Sequence, residues 1–311
     1  MSRIHVALLA ALSSIWGGSY LLIKYALEDL SAPMIVFARC LVAAAVLFVA
    51  LGAARRRGAF ADVRARPGTA LLLGVTAVTV PFTLITLGEL EVPSGLTAVL
   101  LSPASLFVAL LAPFLDTSER IDRREALGMG MGLGGVALVV GVESVQTAWE
   151  FVGALAIVAA AFFYGLSSFV VKRRYSALGS MQTSFVSICV ATILTAPAAL
   201  ATAPSALPGL RATLAVLFLG AVGTALAFVI FYKLIAEAGA GRASLVSYLA
   251  PGVSLFYGAL LLDEEITPAA IAGLVLILAG VALATRRRRV PTPPPAAPAV
   301  PVERPLASAT R

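Results

Sequence analysis

The sequence predicts an all-α membrane protein in which ten transmembrane helices form two inverted five-helix repeats, with both termini in the cytoplasm. The composition, a series of apolar blocks and an internal duplication lead to this prediction. Hydrophobic residues make up 60% of the 311 residues and charged residues 13%, and the mean hydropathy is +0.97. Soluble domains carry about 25% charged residues, so the composition excludes a soluble domain.

Apolar residues occur in ten blocks, most of them close to the length of about 20 residues that a helix needs to cross the hydrocarbon core. Each block should be helical, because lipid offers no hydrogen-bond partner to an unpaired backbone group. The fifth block is the shortest. In chain order the blocks cover 4–26, 32–51, 68–90, 93–114, 126–142, 150–171, 179–203, 210–235, 241–262 and 268–285.

The second half of the chain repeats the first at a shift of 148 residues. Each repeat holds five spans, an odd number, so the second copy enters the membrane from the opposite side. We predict one repeat at 1–142, a second at 150–285, and a basic, proline-rich, disordered cytoplasmic tail at 286–311. Matched positions in the apolar blocks include Trp16 over Tyr164, Ser19 over Ser167, Lys24 over Lys172, Glu89 over Glu237 and Pro103 over Pro251.

Basic residues are concentrated in alternate loops and in the tail, whereas the intervening loops are mainly acidic. By the positive-inside rule, this distribution places both termini in the cytoplasm. The formal net charge of +7 therefore indicates orientation in a membrane, and we expect no nucleic-acid partner. The predicted location is the cell membrane, either inner or plasma, with several spans.

The sequence offers little for metal, redox or nucleophilic chemistry. His5 is the single histidine, while Cys40 and Cys189 are isolated within apolar blocks, so we expect no metal site, no disulfide and no catalytic residues. No phosphate-binding loop of the GxxxxGK[ST] type is present, which argues against ATP as the energy source. No cofactor is expected.

Several motifs, taken in order, resemble those of the EamA-type drug/metabolite transporters, and the resemblance extends over 4–285. It implies a secondary transporter of small metabolites, often an exporter of amino acids or related compounds. The first span carries W-G-x-S-x-x-x-x-x-K. The residues that carry the resemblance are Trp16, Gly17, Ser19 and Lys24 in that motif, Arg39 in the second span, Pro103 in the fourth, and Glu119 and Glu264, which open the fifth and tenth.

Two polar and aromatic stripes are candidates for the walls of a solute site. Trp16, Tyr20 and Lys24 recur every four residues and share one face of the first helix. The matching stripe in the sixth helix is formed by Tyr164, Ser168 and Lys172. Aromatic faces and hydroxyl groups suit an amphipathic solute. The alternative is that the aromatic residues anchor the helices at the membrane interface and that the lysines extend to the headgroups.

Pro103 and Pro251 are candidate hinges near the middle of the fourth and ninth spans. A proline removes one intrahelical hydrogen bond and frees a carbonyl group, which can bind solute. Ser102, Ser247 and Tyr248 lie beside these prolines, and we include them among the substrate-binding candidates. A tolerated kink is the alternative, because proline is common in membrane helices.

Arg39 lies about seven residues into the second span, near 10 Å of depth at helical rise, and a charge at that position should have a partner. Glu28, Asp29 and Glu89 are the acidic candidates, and a substrate carboxylate is the other possibility. Glu89 and its counterpart Glu237 are candidates for proton coupling if burial raises their pKa values. Span-end acids are more often simply solvated.

Glu119 and Glu264 open the fifth and tenth helices, where a negative charge complements the helix N-terminus. The glycine-rich face of the fifth span, residues 128–135, indicates close helix packing, either within one chain or in a homodimer.

A secondary transporter working by alternating access explains these features best. Its predicted partners are a small-molecule substrate and the lipid bilayer, and we expect its transport to be coupled to protons. A passive channel would have rings of repeated polar residues. An intramembrane lipid-modifying enzyme would need clustered acids with a metal, or a nucleophile with its base. Both stay as alternatives to export of a small metabolite such as an amino acid.

Overall fold

The computed structural model describes residues 2–53, 67–115, 123–142, 147–174, 180–238 and 245–285. Within these ranges every regular element is helical and no strand occurs, which confirms the predicted all-α class. Glu119 and the predicted tail at 286–311 lie outside the described residues.

Within the described residues, ten helices follow the predicted apolar blocks closely. Seven of them, α1 to α4 and α6 to α8, are long and apolar enough to cross a membrane, while α9 and α10 are apolar but shorter. The ten-span topology therefore stays a prediction. The helices are α1 (Arg3–Leu27), α2 (Ala32–Ala53), α3 (67–88), α4 (94–115), α5 (Arg123–Val142), α6 (Ala148–Arg174), α7 (Ser180–Ala201), α8 (210–238), α9 (Val246–Leu262) and α10 (Pro268–Thr285).

Helices α3 and α8 each contain a π-helical turn, which the apolar pattern of the sequence does not predict. The two turns are Val75–Thr79 and Ala221–Leu226. They occupy matching places in the two halves, because Thr76 aligns with Thr224 at the 148-residue shift. A π turn accommodates one additional residue and is frequent at functional sites.

The two proline positions differ. Helix α4 is interrupted at residues 102–103, between Ser94–Leu101 and Ala104–Leu115, and the backbone N–H of Leu106 donates to the Pro103 carbonyl at 2.8 Å. Pro251, in contrast, lies inside the continuous helix α9. Both prolines were predicted as hinges, but the helix is broken at Pro103 and continuous at Pro251.

Helices of one half pack on helices of the other in matching pairs. Helix α1 packs on α9, just as α6 packs on α4, and α2 and α7 pack on each other and on the π turns of α8 and α3. Glycines allow these approaches: a Cβ added to Gly17 would lie 2.9 Å from the Ala250 carbonyl oxygen, and one added to Gly165 would lie 3.0 Å from the Phe107 Cβ. The first helix of each half is thus held by the fourth helix of the other.

Helices α5 and α10 cross in close contact at glycine residues. A Cβ on Gly280 would lie 2.5 Å from the Gly128 carbonyl oxygen, and one on Gly135 would lie 2.8 Å from that of Gly273. The glycine-rich face predicted for close packing is therefore used within the chain at these positions. Gly130 and Gly134 have no neighbour within 4 Å of an added Cβ in the described part of the chain, and the homodimer stays a prediction.

Candidate solute-binding site

Arg39 is buried in α2, with 8% of its surface exposed. Its Nε donates to Thr224 Oγ1 on α8 at 2.8 Å, and its guanidinium lies 4.0 Å above the ring of Phe82 on α3. A buried guanidinium gains from both contacts, because an aromatic face attracts a desolvated cation. The partners of Arg39 are thus a hydroxyl group and a π system.

Two of the three acids predicted as partners of Arg39, Glu28 and Asp29, pair with other groups. The Glu28 carboxylate pairs with Arg211 at 3.1 Å, and Asp29 accepts the Gly209 backbone N–H at 2.7 Å. Both contacts join the α1–α2 turn to the start of α8. Within the described ranges the two terminal nitrogens of Arg39 donate to no protein group, so they are available to a ligand.

Glu89, the third candidate, follows the last residue of α3 and has no exposed surface. Both of its carboxylate oxygens are buried and lack a hydrogen-bond partner among the residues that the structure describes. Lys24 makes no hydrogen bond to the carboxylate, since its Nζ donates to the Glu89 main-chain oxygen at 2.5 Å. Lys24 thereby fixes the backbone beside an unpaired acid.

The electrostatic surroundings of Glu89 favour its protonated form. Burial raises the pKa of Glu89 most, since a carboxylate loses its hydration there, and the nearby Glu264 raises it further. The positive charges of Lys24 and Arg39 act in the opposite direction but are outweighed. Glu89 therefore binds a proton more readily than a solvated glutamate.

Tyr20 on α1 and Tyr164 on α6 complete the arrangement. Both rings are half-buried, and the Tyr164 side chain interacts electrostatically with Arg39. The Tyr20 side chain interacts electrostatically with those of Tyr164, Glu89 and Arg39. We call Tyr20, Arg39, Glu89 and Tyr164 the central cluster. It joins residues from four helices, and it combines one cation, one acid and two phenol rings.

The other aromatic candidates lie in apolar packing. Trp16 packs on Phe231 of α8, with ring centroids 5.3 Å apart. Tyr248 is partly buried and packs against the largest apolar core, which also contacts Tyr20 and Tyr164. Trp16 therefore belongs to the contact between α1 and α8.

The serine candidates make local bonds or face outwards. Ser102 Oγ donates to the Val99 carbonyl at 2.6 Å, and Ser168 Oγ donates to the Tyr164 carbonyl at 3.1 Å. Ser168 and Ser247 are exposed at the protein surface. In the conformation described, none of the three is brought to the central cluster.

Glu237, the predicted counterpart of Glu89, is exposed at the far end of α8. It pairs with His5 at 3.3 Å and with Lys233 at 4.0 Å. The two repeat-related acids therefore have opposite environments, one buried without a partner and the other exposed and paired. Position in the repeat alone could not distinguish them.

Glu264 caps the N-terminus of α4, and not that of its own helix α10, so the predicted recipient is wrong. Its carboxylate accepts the backbone N–H groups of Ser94 and Gly95 at 2.7 and 2.9 Å, and the Ser94 hydroxyl at 3.0 Å. Ser254 Oγ on α9 donates to the Ser94 carbonyl at 3.1 Å. A Cβ on Gly258 would lie 2.2 Å from a Glu264 oxygen, so glycine is needed there. We call these contacts the Glu264 cap.

A cavity of about 220 Å³ lies beside the Glu264 cap. Its lining includes Glu91, Glu150, Glu264 and Glu265 but none of the four side chains of the central cluster. The cluster is therefore closed from this cavity in the conformation described.

We expect Glu264→Gln to weaken the closure between the halves, because an amide offers one acceptor oxygen where the carboxylate satisfies three donors. The free energy of unfolding should fall by about 1–3 kcal/mol, the cost of leaving buried donors unpaired. The measurement is the thermal unfolding midpoint of the purified protein in detergent. Glu265→Gln, an exposed neighbour, is the control and should change stability by less than about 0.5 kcal/mol. Equal shifts in the two variants would contradict the cap.

The fold and the site define a class of protein. Long apolar helices, matched in two halves and enclosing a buried cation and acid, are typical of a multi-pass membrane transporter. The chain belongs to the EamA-like transporter family, whose model matches it twice, at residues 3–141 and 151–286. It is accordingly a multi-pass cell-membrane protein of the drug/metabolite transporter superfamily.

Several proteins named as transporters match this chain along nearly their whole length. It is 25% identical to the uncharacterized transporter YoaV of Bacillus subtilis over 284 residues, covering 89% of this chain and 96% of that protein. It is 27% identical to a probable terminal-alkyne amino-acid exporter of Streptantibioticus cattleyicolor, covering 88% and 90%. It is 24% identical to a probable amino-acid metabolite efflux pump of Escherichia coli, covering 90% and 94%.

A crystal structure of another protein has the same fold. The TM-score is 0.63 at 22% identity, and the match covers 92% of this chain and 97% of that one.

Proposed function

We propose that this protein is a secondary active exporter of small amphipathic metabolites such as amino acids, and that it works by alternating access. The observation that carries the proposal is the central cluster, in which a buried cation with free donors and a buried acid with free acceptors lie beside two tyrosine rings. The exporter names of two relatives support the direction and the substrate class.

Arg39 is the proposed contact for the substrate carboxylate. A guanidinium binds a carboxylate through two parallel hydrogen bonds, which are short and charge-assisted. Glu89 offers the opposite charge, so a solute that carries both a carboxylate and an ammonium group matches both residues. Tyr20 and Tyr164 would hold its apolar part with their ring faces.

Proton coupling is proposed at Glu89 and not at Glu237. Burial raises the pKa of Glu89, which favours a bound proton in the empty site. An ammonium group beside Glu89 would favour the ionised form and displace that proton. Export of a solute in exchange for an incoming proton follows from this competition. Glu237 is exposed and already paired, so the same argument does not apply to it.

The proposal retains the predicted topology, with cytoplasmic termini and repeats at 1–142 and 150–285 that rock against each other. In that orientation the Glu264 cap lies on the external side. The conformation described would then separate the central cluster from the cavity on the external side.

Transport into inside-out membrane vesicles tests the proposal. The probe is a mixture of isotope-labelled proteinogenic amino acids, which mass spectrometry identifies in the lumen. With an acidic lumen, we expect at least one of them to accumulate above its outside concentration, and an ionophore that dissipates the pH gradient should abolish the accumulation. Equilibration without accumulation would indicate a passive channel. Vesicles with no more uptake than vesicles lacking the protein would overturn amino-acid export.

Glu89→Gln should remove the dependence of transport on the pH gradient. Glutamine takes no proton in this range, so an acidic lumen can no longer drive accumulation, although downhill movement can persist. The luminal concentration of the labelled amino acid should therefore not exceed the outside concentration at any imposed gradient.

Glu237→Gln is the matched control for Glu89→Gln, because it changes the repeat-related acid in the same way. It should keep the response to the pH gradient. A Glu89→Gln protein that still accumulates solute against its gradient would show that the proton binds elsewhere.

A further inference from the structure

Thr224 lies in the π turn of α8, and its hydroxyl group makes two bonds at once. It accepts Arg39 Nε at 2.8 Å and donates to the Leu219 carbonyl, five residues earlier, at 2.9 Å. The accepting carbonyl lies five residues earlier, which is the spacing of backbone bonds in a π turn, whereas the matching Thr76 donates to the carbonyl four residues earlier. With its hydrogen committed to Leu219, the oxygen has its lone pairs left for Arg39.

The π turn of α8 and the residue before it approach α1 and α2 closely at two glycines. A Cβ on Gly220 would lie 2.8 Å from the Arg39 carbonyl oxygen and 2.6 Å from the Val42 Cβ, and one on Gly223 would lie 3.0 Å from Ser19 Oγ. The backbone of α8 is therefore in contact with the helix that carries Arg39. A shift of α8 along α2 must move Thr224 relative to the guanidinium.

The matching turn in α3 lacks this contact. Thr76, the counterpart of Thr224, donates to the Leu72 carbonyl at 2.8 Å. The counterpart of Arg39 at the 148-residue shift is Ser187, whose hydroxyl donates to the Ser184 carbonyl at 2.9 Å. The two turns occupy matching places, but among the described residues only the threonine of the α8 turn contacts a cation.

We infer that Thr224 is a positioning residue for the proposed carboxylate site, a role that rests on the proposed function of Arg39. A guanidinium can meet a carboxylate side-on, through Nε and one terminal nitrogen, or end-on, through both terminal nitrogens. Because Thr224 occupies Nε, only the end-on edge is left for the solute. Thr224 thus selects the approach of the carboxylate, and it links the binding residue on α2 to the movement of α8.

Three variants of the full chain separate positioning from general stability. Thr224→Val keeps the shape of the side chain but removes the acceptor, Thr224→Ser restores the hydroxyl group, and Thr76→Val removes an equivalent hydroxyl that touches no cation. The probes are phenylalanine and phenethylamine, which differ only in the carboxylate. The readout is the apparent KM for uptake into inside-out vesicles at equal membrane abundance.

For Thr224→Val we expect the KM for phenylalanine to rise about tenfold, the effect of losing one hydrogen bond to a charged group. The KM for phenethylamine should be unchanged. Thr224→Ser and Thr76→Val should stay within about twofold of the unmodified protein for both probes. Equal effects of Thr224→Val and Thr76→Val, or no recovery with Thr224→Ser, would overturn the positioning role.

A second measurement needs no transport and keeps the inference separate from the proposed function. The rate at which phenylglyoxal modifies Arg39 in membranes can be followed by mass spectrometry of the digested protein. Thr224→Val should raise that rate at least about threefold over Thr76→Val, because a guanidinium no longer held at Nε can turn its terminal nitrogens, where the reagent adds, toward the reagent. Equal rates would overturn the inference, whereas a raised rate without any amino-acid uptake would overturn only the proposed function.

Discussion

Arg39→Gln is expected to lower the uptake of carboxylate-bearing amino acids into inside-out vesicles by at least about a hundredfold. The substitution removes two charge-assisted hydrogen bonds, each of which contributes about 1.5–3 kcal/mol. Arg39→Lys should recover little, because an ammonium group has the charge but not the planar pair of donors. The initial rate of uptake, normalised to the amount of protein in the membrane, is the measurement.

Arg211→Gln is the matched control, since it also exchanges an arginine for glutamine. Arg211 is exposed, pairs with Glu28 at 3.1 Å and lies over the Tyr25 ring at 3.6 Å. Exposed pairs of this kind contribute about 0–1 kcal/mol, so we expect uptake within about threefold of the unmodified protein. If Arg39→Gln transports as well as Arg211→Gln does, the proposed carboxylate contact is wrong.

Gly280→Ala should be among the most destabilising single methyl additions in the described part of the chain. The new Cβ would lie 2.5 Å from the Gly128 carbonyl oxygen and 2.5 Å from the Gly132 nitrogen, both of them backbone atoms. Backbone on the opposing helix cannot rotate away, so α5 and α10 must separate. Overpacking of this kind costs about 1–3 kcal/mol or more, and the thermal unfolding midpoint of the purified protein should fall.

Gly134→Ala is the control, and it should leave stability unchanged or raise it. It lies in α5, the helix that Gly280 contacts, but an added Cβ there meets no atom within 4 Å in the described ranges. Alanine is favoured over glycine inside a helix by about 1 kcal/mol, so this variant should be as stable as the unmodified protein or more so. A similar loss of stability in both variants would mean that the crossing of α5 and α10 is looser than described.

The helices could be predicted from the sequence because hydrophobicity and length are local properties of the chain. Apolar blocks and helix bounds agree within a few residues along most of the chain. The break in α4 and the continuity of α9 could not be predicted, since Pro103 and Pro251 look alike in the sequence. The surrounding packing decides how each helix accommodates its proline.

The central cluster was predictable in part. Arg39, Tyr20, Tyr164 and Glu89 could be chosen because polar and aromatic side chains are conspicuous in apolar blocks. Their partners depend on which helices meet, and the sequence does not report that. Thr224 was missed, although its alignment with Thr76 at the repeat shift is a signal that could have identified it.

Glu264 shows the same limit in a different way. A carboxylate before an apolar block is expected to favour the N-terminus of the helix that follows. Here the chain turns at Asp263, which has a positive φ of 55°, and the carboxylate meets the N-terminus of another helix. The type of interaction was predicted correctly, while the recipient depends on the tertiary fold.

The π turn of α3 determines the side of the helix axis toward which the Glu89 side chain points. Ten residues separate the end of that turn, Thr79, from Glu89. The π turn adds a residue that a regular helix would lack, and each residue rotates a helix by about 100°. Deleting one residue of the turn would therefore swing the Glu89 carboxylate away from the tyrosines while leaving the composition of the span almost unchanged. The rotational phase of the proposed proton-binding group is set by an insertion nearly three helical turns away.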